Sequence, residues 1–494
     1  MRKILADVNE VKGKVNRYFS NCVGAGRAGE VMRYAPMKQL KMMQQDCPFR
    51  YIRFHGLFHE EMNVVRRDAQ GKLQFCFQYI DLLLDALLEE NIRPVIELGL
   101  MPDELASEKE YVFWWKMNKS MPKEMGEWYE LVETFVRHVT YRYGEEEVLR
   151  WYFEVWNEPN HPAFFMESKN IEAYFQLYDQ AAKAVKAVNG AYRVGGPATA
   201  GMAWVEEIIG HCRKNDIPLD FVSSHIYGVR GDGFDADGTK IVYLTPLDQF
   251  VQQIQKNGEI CHREGLPLFV TEWSNSFSGR DFVHDSYLSA PYLLHVVKNC
   301  EGYADLLSYW VYTDIFEEHG APNEPFHGGF GLINVQSIPK PIYRAYGFLH
   351  RLGDQQICCG DEAGYVCRDE DKVQILCWNL KLPKQDCHNR KFFATPLPAV
   401  PLDPLEFELT GLLSERDYTL CVETIGYRSG DVYSAYVEHG FTELPTREET
   451  EWLEKKSIPE KKEYIVRTDK TGKLSFTLPQ QENQVDFVEI SLGE

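Results

Sequence analysis

Two periodicities alternate along the first two thirds of this chain. Short apolar or alternating runs of strand length are followed by longer stretches whose apolar residues recur every three to four positions. The runs at 19–24, 51–55, 94–99, 150–156, 193–196, 221–225, 268–272 and 306–311 read as strands. The stretches at 78–90, 128–143, 171–188, 204–214, 246–264 and 286–300 read as helices; in the first, Ile80, Leu83, Leu84, Leu87 and Leu88 share one face. Eight strands interleaved with helices predict an α/β fold, a (β/α)8 TIM barrel over 18–350, in preference to an open doubly wound sheet. After 350 the helical period fades. Alternating runs at 365–367, 373–378, 405–410, 418–423 and 473–478, separated by turn residues, predict a C-terminal β-sandwich domain over 351–494. Residues 1–17 read as an arm or strand that packs on the sandwich. The charged stretch 446–462 reads as one short exposed helix and a loop.

The strand ends carry the chemistry. Trp151-Tyr-Phe-Glu-Val-Trp-Asn-Glu-Pro-Asn160 is a packed strand that must stop at Pro159, leaving Asn157 and Glu158 at its end. Pro267-Leu-Phe-Val-Thr-Glu-Trp273 likewise ends in a carboxylate, Glu272. Barrel enzymes keep their reacting groups at this end of the strands. Two carboxyls from facing strands are what glycosidic bond hydrolysis requires, roughly 5–5.5 Å apart when configuration is retained. Glu158 is assigned as acid/base and Glu272 as nucleophile; the alternative for either alone is a structural salt-bridge partner. Asn157 is placed to donate to a sugar 2-hydroxyl. Tyr227 is placed to hydrogen-bond the nucleophile, His225 to contact it or the substrate, and Trp310 to form an apolar platform for a sugar ring. Arg53 is placed to support the nucleophile and His55 to face the sugar. Glu154, deeper in the strand of Glu158, reads as a buried, paired structural carboxylate.

Composition narrows the choice of ligand. The 494 residues carry a formal net charge of −21, which disfavours nucleic acid and polyanions and suits a neutral sugar. No apolar run reaches membrane-spanning length, and the N-terminus has no apolar core of signal-peptide length, so a cytoplasmic location is expected. The twelve cysteines include no CxxC pair and are expected to be free thiols. Two motifs are read as decoys. Gly24-Ala-Gly-Arg-Ala-Gly29 fits a dinucleotide fingerprint, but Arg33-Tyr-Ala-Pro36 is expected to interrupt the helix that should follow, so a tight turn at the barrel mouth is predicted. His55 and His59 have zinc-pair spacing, but Gly56 argues against the helix such a pair needs. No metal and no cofactor are expected.

Four segments resemble glycoside hydrolase family 39: Tyr51-Ile-Arg-Phe-His-Gly-Leu-Phe58, Tyr152–Asn160, Phe269-Val-Thr-Glu-Trp273 and Asp314-Ile-Phe-Glu-Glu318. So do Phe326-His-Gly-Gly-Phe-Gly-Leu-Ile-Asn334 and the following Lys340-Pro341. The resemblance spans most of the chain and implies a retaining exo-glycosidase acting on β-xylosides or short xylo-oligosaccharides. It makes Glu158 the acid/base and Glu272 the nucleophile. It places Asn157, His225, Tyr227, Trp310 and His55 around the sugar. Glu317 and Glu318 are expected to accept sugar hydroxyl protons, and Phe113 and Trp114 to form an aromatic wall. A homo-oligomer, dimer or tetramer, is permitted by the same resemblance. The alternatives are another pyranoside (α-L-iduronide, β-glucoside or galactoside, α-L-arabinoside) or a non-catalytic carbohydrate-binding protein. An iduronide needs cations for its carboxylate, and the loop 317–328 carries no Lys or Arg.

Overall fold

The structure is a computed structural model and describes residues 2–236, 238–369, 371–441 and 444–492. Eight parallel strands close into a barrel in chain order: β1 (Cys22–Arg27), β2 (Tyr51–His55), β3 (Arg93–Leu98), β4 (Tyr152–Val155), β5 (Arg193–Ala200), β6 (Phe221–Tyr227), β7 (Leu268–Ser274) and β8 (Leu306–Tyr309), with β8 pairing back to β1. Helices follow the strands and cover the outside; Gln78–Glu89, for example, buries Ile80, Leu83, Leu84 and Leu87.

The barrel interior changes character along its axis. Side chains on a strand alternate in and out. At the N-terminal end the inward positions are apolar, with Cys22, Val95, Phe221, Phe269 and Leu306 packed against Tyr51 and Tyr152. Two residues further on, the same strands present Arg53, Glu97 and Glu154, all fully buried. A further step toward the C-terminal end brings His55 on β2. These inward-facing polar residues are thus stacked above an apolar plug. On β7 the pairing register slips between Val270 and Trp273, and on β6 between Ser224 and His225. Such irregularities re-aim side chains at a barrel rim, and Glu272 lies within the β7 slip.

The first strand differs from expectation. Tyr18–Ser20 form a short 3-10 turn, and β1 begins only at Cys22. Phe19 leaves the strand because its ring packs edge-on against His350, 5.7 Å away. The glycines of the 24–29 motif make no tight turn. Gly24 and Gly26 lie within β1 and Gly29 in the helical turn after it. Close approach favours each: a Cβ on Gly24 would meet the Trp310 ring at 2.6 Å and the Tyr309 carbonyl oxygen at 3.0 Å, whereas on Gly26 and Gly29 it would have to displace the carboxyl ends of Glu30 (2.0 Å) and Glu61 (2.5 Å). Nor does Pro36 break the next helix. It sits in the first turn of Tyr34–Asp46, where no backbone N–H is needed.

Beyond the barrel, a seven-stranded sheet (Val11–Lys14, Gln355–Ile357, Gly364–Arg368, Lys372–Trp378, Val485–Leu492, Asp417–Ile425, Glu460–Arg467) faces a three-stranded one (Lys3–Asp7, Pro401–Thr410, Leu474–Gln481). Ile4, Val366, Ile375, Phe407, Leu420 and Val488 fill the space between them. The other face of the larger sheet joins the barrel core, where Phe487 stacks on Phe348 at 5.2 Å. The 446–462 segment is more structured than expected. Helix Arg447–Lys456 starts at a Thr446–Glu449 capping box, buries Leu453 beside Phe326, Ile338 and Tyr433, and leads into strand Glu460–Arg467. All twelve cysteines are free, and no helix among the described residues is long and apolar enough to cross a membrane.

Candidate active site

Arg53 is the hub of the site. Its guanidinium is fully buried and donates from Nε to Glu154 (2.5 Å), from Nη1 to Glu272 (2.8 Å) and from Nη2 to the Asn157 side-chain oxygen (3.0 Å); Glu97 lies 3.0 Å from Nη2. Burial alone would discharge it, but the Glu154, Glu97 and Glu272 carboxylates more than offset this and raise its pKa. Because Asn157 accepts with its oxygen, its amide nitrogen faces the cavity that it lines. Thr271 donates to the other Glu154 oxygen at 2.8 Å, so Glu154 is paired within the barrel.

Glu272 is held at both oxygens. Arg53 takes Oε1, and the Tyr227 hydroxyl donates to Oε2 at 2.6 Å. Burial, reinforced by Glu272, lifts the Tyr227 pKa far above that of free tyrosine, so the hydroxyl remains a donor. His55 Nε2 lies 3.6 Å from Glu272 Oε1, while its Nδ1 is 2.6 Å from Glu97. Burial works against the His55 charge, but Glu97 outweighs it and raises the pKa. The pair is reciprocal: burial pushes Glu97 up, and His55 and Arg53 overcome that and lower it.

Glu158 stands across from Glu272. Its backbone is in the left-handed region (φ 42°), as is that of Trp156 (φ 71°). Such conformations cost a non-glycine residue on the order of 1–3 kcal/mol and persist where the surroundings enforce them. Here the Glu158 N–H donates to Ala198 O of β5 at 2.9 Å, which pins the turn. Burial raises the Glu158 pKa. His225 Nδ1 is 3.0 Å from Glu158 Oε1 and 3.5 Å from Glu272 Oε2, and burial pushes the His225 pKa down to about 4. A carboxylate oxygen of Glu158, one of Glu272 and a His225 ring nitrogen all lie within 4.8 Å of one another. These atoms have the composition of a cation site, in which each Glu272 oxygen already accepts one bond, from Arg53 or Tyr227, and the Arg53 charge opposes a second cation.

The carboxyls open onto a cavity of about 1010 Å³ lined by His55, Phe113, Asn157, Glu158, Tyr227, Glu272, Trp310 and Glu318, among others. Trp310 packs edge-on to Phe316 and 4.8 Å from the His55 ring. Burial pushes the Glu318 carboxyl up to about 8. Behind this wall lies an ion triad. Lys340, fully buried, is 2.6 Å from Asp285 and 2.7 Å from Asp314 and donates to Gly329 O, which accounts for the Asp314 and Lys340 positions of the motif segments.

Three expectations need correction. Glu317 does not line the cavity; its carboxylate is bound by Arg27 (3.0 Å) and Arg33 (2.6 Å), which outweigh burial and lower its pKa. Trp114 is largely exposed and donates to the Glu317 carbonyl, so Phe113, stacked on Trp115, forms the wall without it. The absence of cations from the 317–328 loop is not an absence from the cavity: Arg280 donates to Gly320 O of that loop, and Arg230, Lys240 and Arg390 line the same space. Sequence reasoning also missed Glu97, although it alternates with Val95 on β3 as Glu154 does with Tyr152 on β4. It missed the hairpin Val229–Phe234/Lys240–Leu244 as well, whose glycine-rich turn after β6 was the available signal.

The closed barrel, with paired carboxyls opening onto a cavity at the C-terminal ends of its strands, is the arrangement of a glycoside hydrolase. The model for "Glycosyl hydrolases family 39" matches residues 2–475. A β-xylosidase of Caldicellulosiruptor saccharolyticus is 36% identical, covering 99% of this chain and 99% of its own; one from Geobacillus stearothermophilus is 33% identical, covering 97% and 93%. The crystal structure of a monomeric β-xylosidase from Caulobacter crescentus CB15 superposes with a TM-score of 0.95 at 39% identity over 100% of both chains. The chain belongs to glycosyl hydrolase family 39.

Proposed function

We propose that this protein is a retaining exo-glycosidase that removes xylose from β-xylosides and short xylo-oligosaccharides by double displacement. The observation that carries the reading is the approach of Glu158 and Glu272 to within 4.8 Å across one cavity. That is the approach of one oxygen of each carboxyl, and it suits the roughly 5–5.5 Å carboxyl separation of retaining enzymes better than the roughly 6.5–9.5 Å that an interposed water needs. The names of the two curated relatives supply the sugar.

Glu158, whose pKa burial raises, gives its proton to the glycosidic oxygen. Glu272 attacks the anomeric carbon, and the leaving alcohol departs. As the Glu272 charge is consumed, Arg53 and Tyr227 hold the ester oxygens in place. The deprotonated Glu158 then takes a proton from water, which attacks the same carbon from the leaving-group side and restores Glu272 as carboxylate. Asn157 and His55 bind the sugar hydroxyls, Trp310 supports its apolar face, and Glu318 donates from its protonated form. A uronate glycone is disfavoured because the floor of the cavity gathers Glu158, Glu272 and Glu318, with Glu97 beneath.

A panel of nitrophenyl glycosides tests the sugar, with the β-xyloside expected to be the best substrate. Glu272→Ala is expected to abolish turnover, and azide to restore part of it by occupying the vacated space. Undiminished hydrolysis in that variant would remove the assignment.

A further inference from the structure

The cavity is polarised. Its buried floor holds carboxyl groups, whereas its mouth holds Arg230, Lys240 and Arg280, and none of these three has a carboxylate within ion-pair distance among the described residues. Cations without an ion-pair partner are common on this chain, but these three converge on one opening above the carboxyls of the floor. Each is aimed by an uncharged contact. Lys240 Nζ lies 4.9 Å from the Phe277 ring centroid, the Arg230 guanidinium 4.9 Å from that of Tyr243, and Arg280 donates to the carbonyls of Gly279 and Gly320 at 3.2 Å. Two of the five N–H donors of Arg280 are used by those bonds. Asp232 and Asp235, on the same hairpin as Lys240 and just beyond it, do not line the cavity, and Asp235 lies 3.8 Å from His388. Burial lowers the Arg280 pKa against the opposing pull of Asp314, with Arg390 adding to the lowering, and Arg280 and Lys240 both add to the lowering that burial imposes on His319. The cations therefore share one neighbourhood in which, among the described residues, no carboxylate lies within ion-pair distance of Arg230, Lys240 or Arg280; Asp314, Glu158 and Glu318 act on them only from further away.

We propose that the cavity mouth binds a carboxylate on the leaving-group part of the substrate, through Lys240 and Arg280 with Arg230 at the rim. The preferred substrates are then oligosaccharides whose sugar beyond the scissile bond bears an acidic (uronyl) substituent. The inference rests on the exo-glycosidase reading, which puts the released sugar on the floor and the remainder in the mouth. It replaces the neutral ligand that the overall charge favours: the field of the whole protein repels an anion, and the mouth inverts that field locally.

The test compares two fluorogenic β-xylosides, one with a methylumbelliferyl and one with a carboxyumbelliferyl aglycone. The quantity read is the ratio of their kcat/KM values in each protein, so a general effect of a substitution cancels. In the double variant Lys240→Gln/Arg280→Gln the acidic-to-neutral ratio is expected to fall about ten-fold, as befits the loss of two partly exposed charge contacts. Added salt is expected to lower the wild-type ratio in the same direction. Arg280→Lys, which keeps the charge, is expected to retain most of the preference. An unchanged ratio in the double variant, or a wild-type ratio insensitive to salt, overturns the proposal. If the wild type leaves the neutral xyloside intact but cleaves another member of the glycoside panel, the xyloside reading fails by itself. The ratio is then measured with both aglycones on the accepted sugar.

Discussion

Replacing Arg53 by leucine removes the cation that organises the site. Three buried carboxylates, Glu97, Glu154 and Glu272, and the Asn157 oxygen lose their shared donor. Each carboxylate keeps one partner: His55 on Glu97, Thr271 on Glu154 and Tyr227 on Glu272. None of the four groups is exposed beyond a few per cent, and of them only Glu272 and Asn157 line the cavity, so Glu97 and Glu154 lose the guanidinium without ready access to water. Breaking a buried ion pair from one side costs about 3–5 kcal/mol, and the remaining partners keep the total within that range instead of multiplying it by three. The sign with pH follows from Glu97. Its lowered folded pKa contributes stability above its unfolded pKa, and this is lost as pH falls through the folded value. The deficit of Arg53→Leu is therefore largest at neutral pH and narrows toward acid, where the stranded carboxyls protonate. Activity should fall further than stability, because Glu272 and Asn157 are both aimed by Arg53 and a misplacement of about 1 Å costs on the order of 10²-fold. Arg53→Lys keeps the charge but cannot span four acceptors; it should recover stability more than rate. Thermal unfolding across pH, with kcat/KM on a nitrophenyl xyloside, measures both. A variant that melts with the wild type and loses less than about ten-fold in rate, about 1.4 kcal/mol of barrier, would refute the role given to Arg53.

Glu158→Gln is expected to cost about 10²–10⁴-fold on xylobiose but much less on an activated nitrophenyl xyloside, which needs little protonation; equal losses on both would contradict the acid role. In the wild type kcat/KM should fall as pH rises through the elevated Glu158 pKa, and that basic limb should be missing from the profile of Glu158→Gln on the activated substrate. Glu30, pushed up to about 8 by burial, contributes stability below its unfolded pKa that is lost as pH rises through about 8. Glu30→Gln should accordingly flatten the decline of the melting temperature over that interval. Gly24→Ala should displace Trp310 toward the sugar, lowering stability by about 1–3 kcal/mol and raising KM, as read by unfolding and steady-state kinetics.

The barrel was legible because its strands are short, buried on both faces and separated by helices with clean apolar stripes. The two candidate carboxyls stood out because each follows a packed aromatic and β-branched run, although β4 ends at Val155, before Glu158, and β7 continues past Glu272 to Ser274. Glu317 and Glu318 show where such reading stops. They are neighbours in the chain, and only the position of Arg27 and Arg33 in space decides that one is an ion-pair partner and the other a cavity wall. The glycines at 24, 26 and 29 likewise look like a phosphate loop until the side chains of Trp310, Glu30 and Glu61, two of them distant in sequence, are seen to occupy the space a Cβ would need. The cations at the mouth come from segments that carry no motif of their own.

The stereochemistry of the first-formed product tests the two-carboxylate mechanism most directly. Proton NMR of a β-xyloside reaction, followed before mutarotation, is predicted to show β-xylose appearing first, as required by attack of Glu272 and then of water on the same carbon. Initial release of α-xylose would mean a single displacement and would contradict the account.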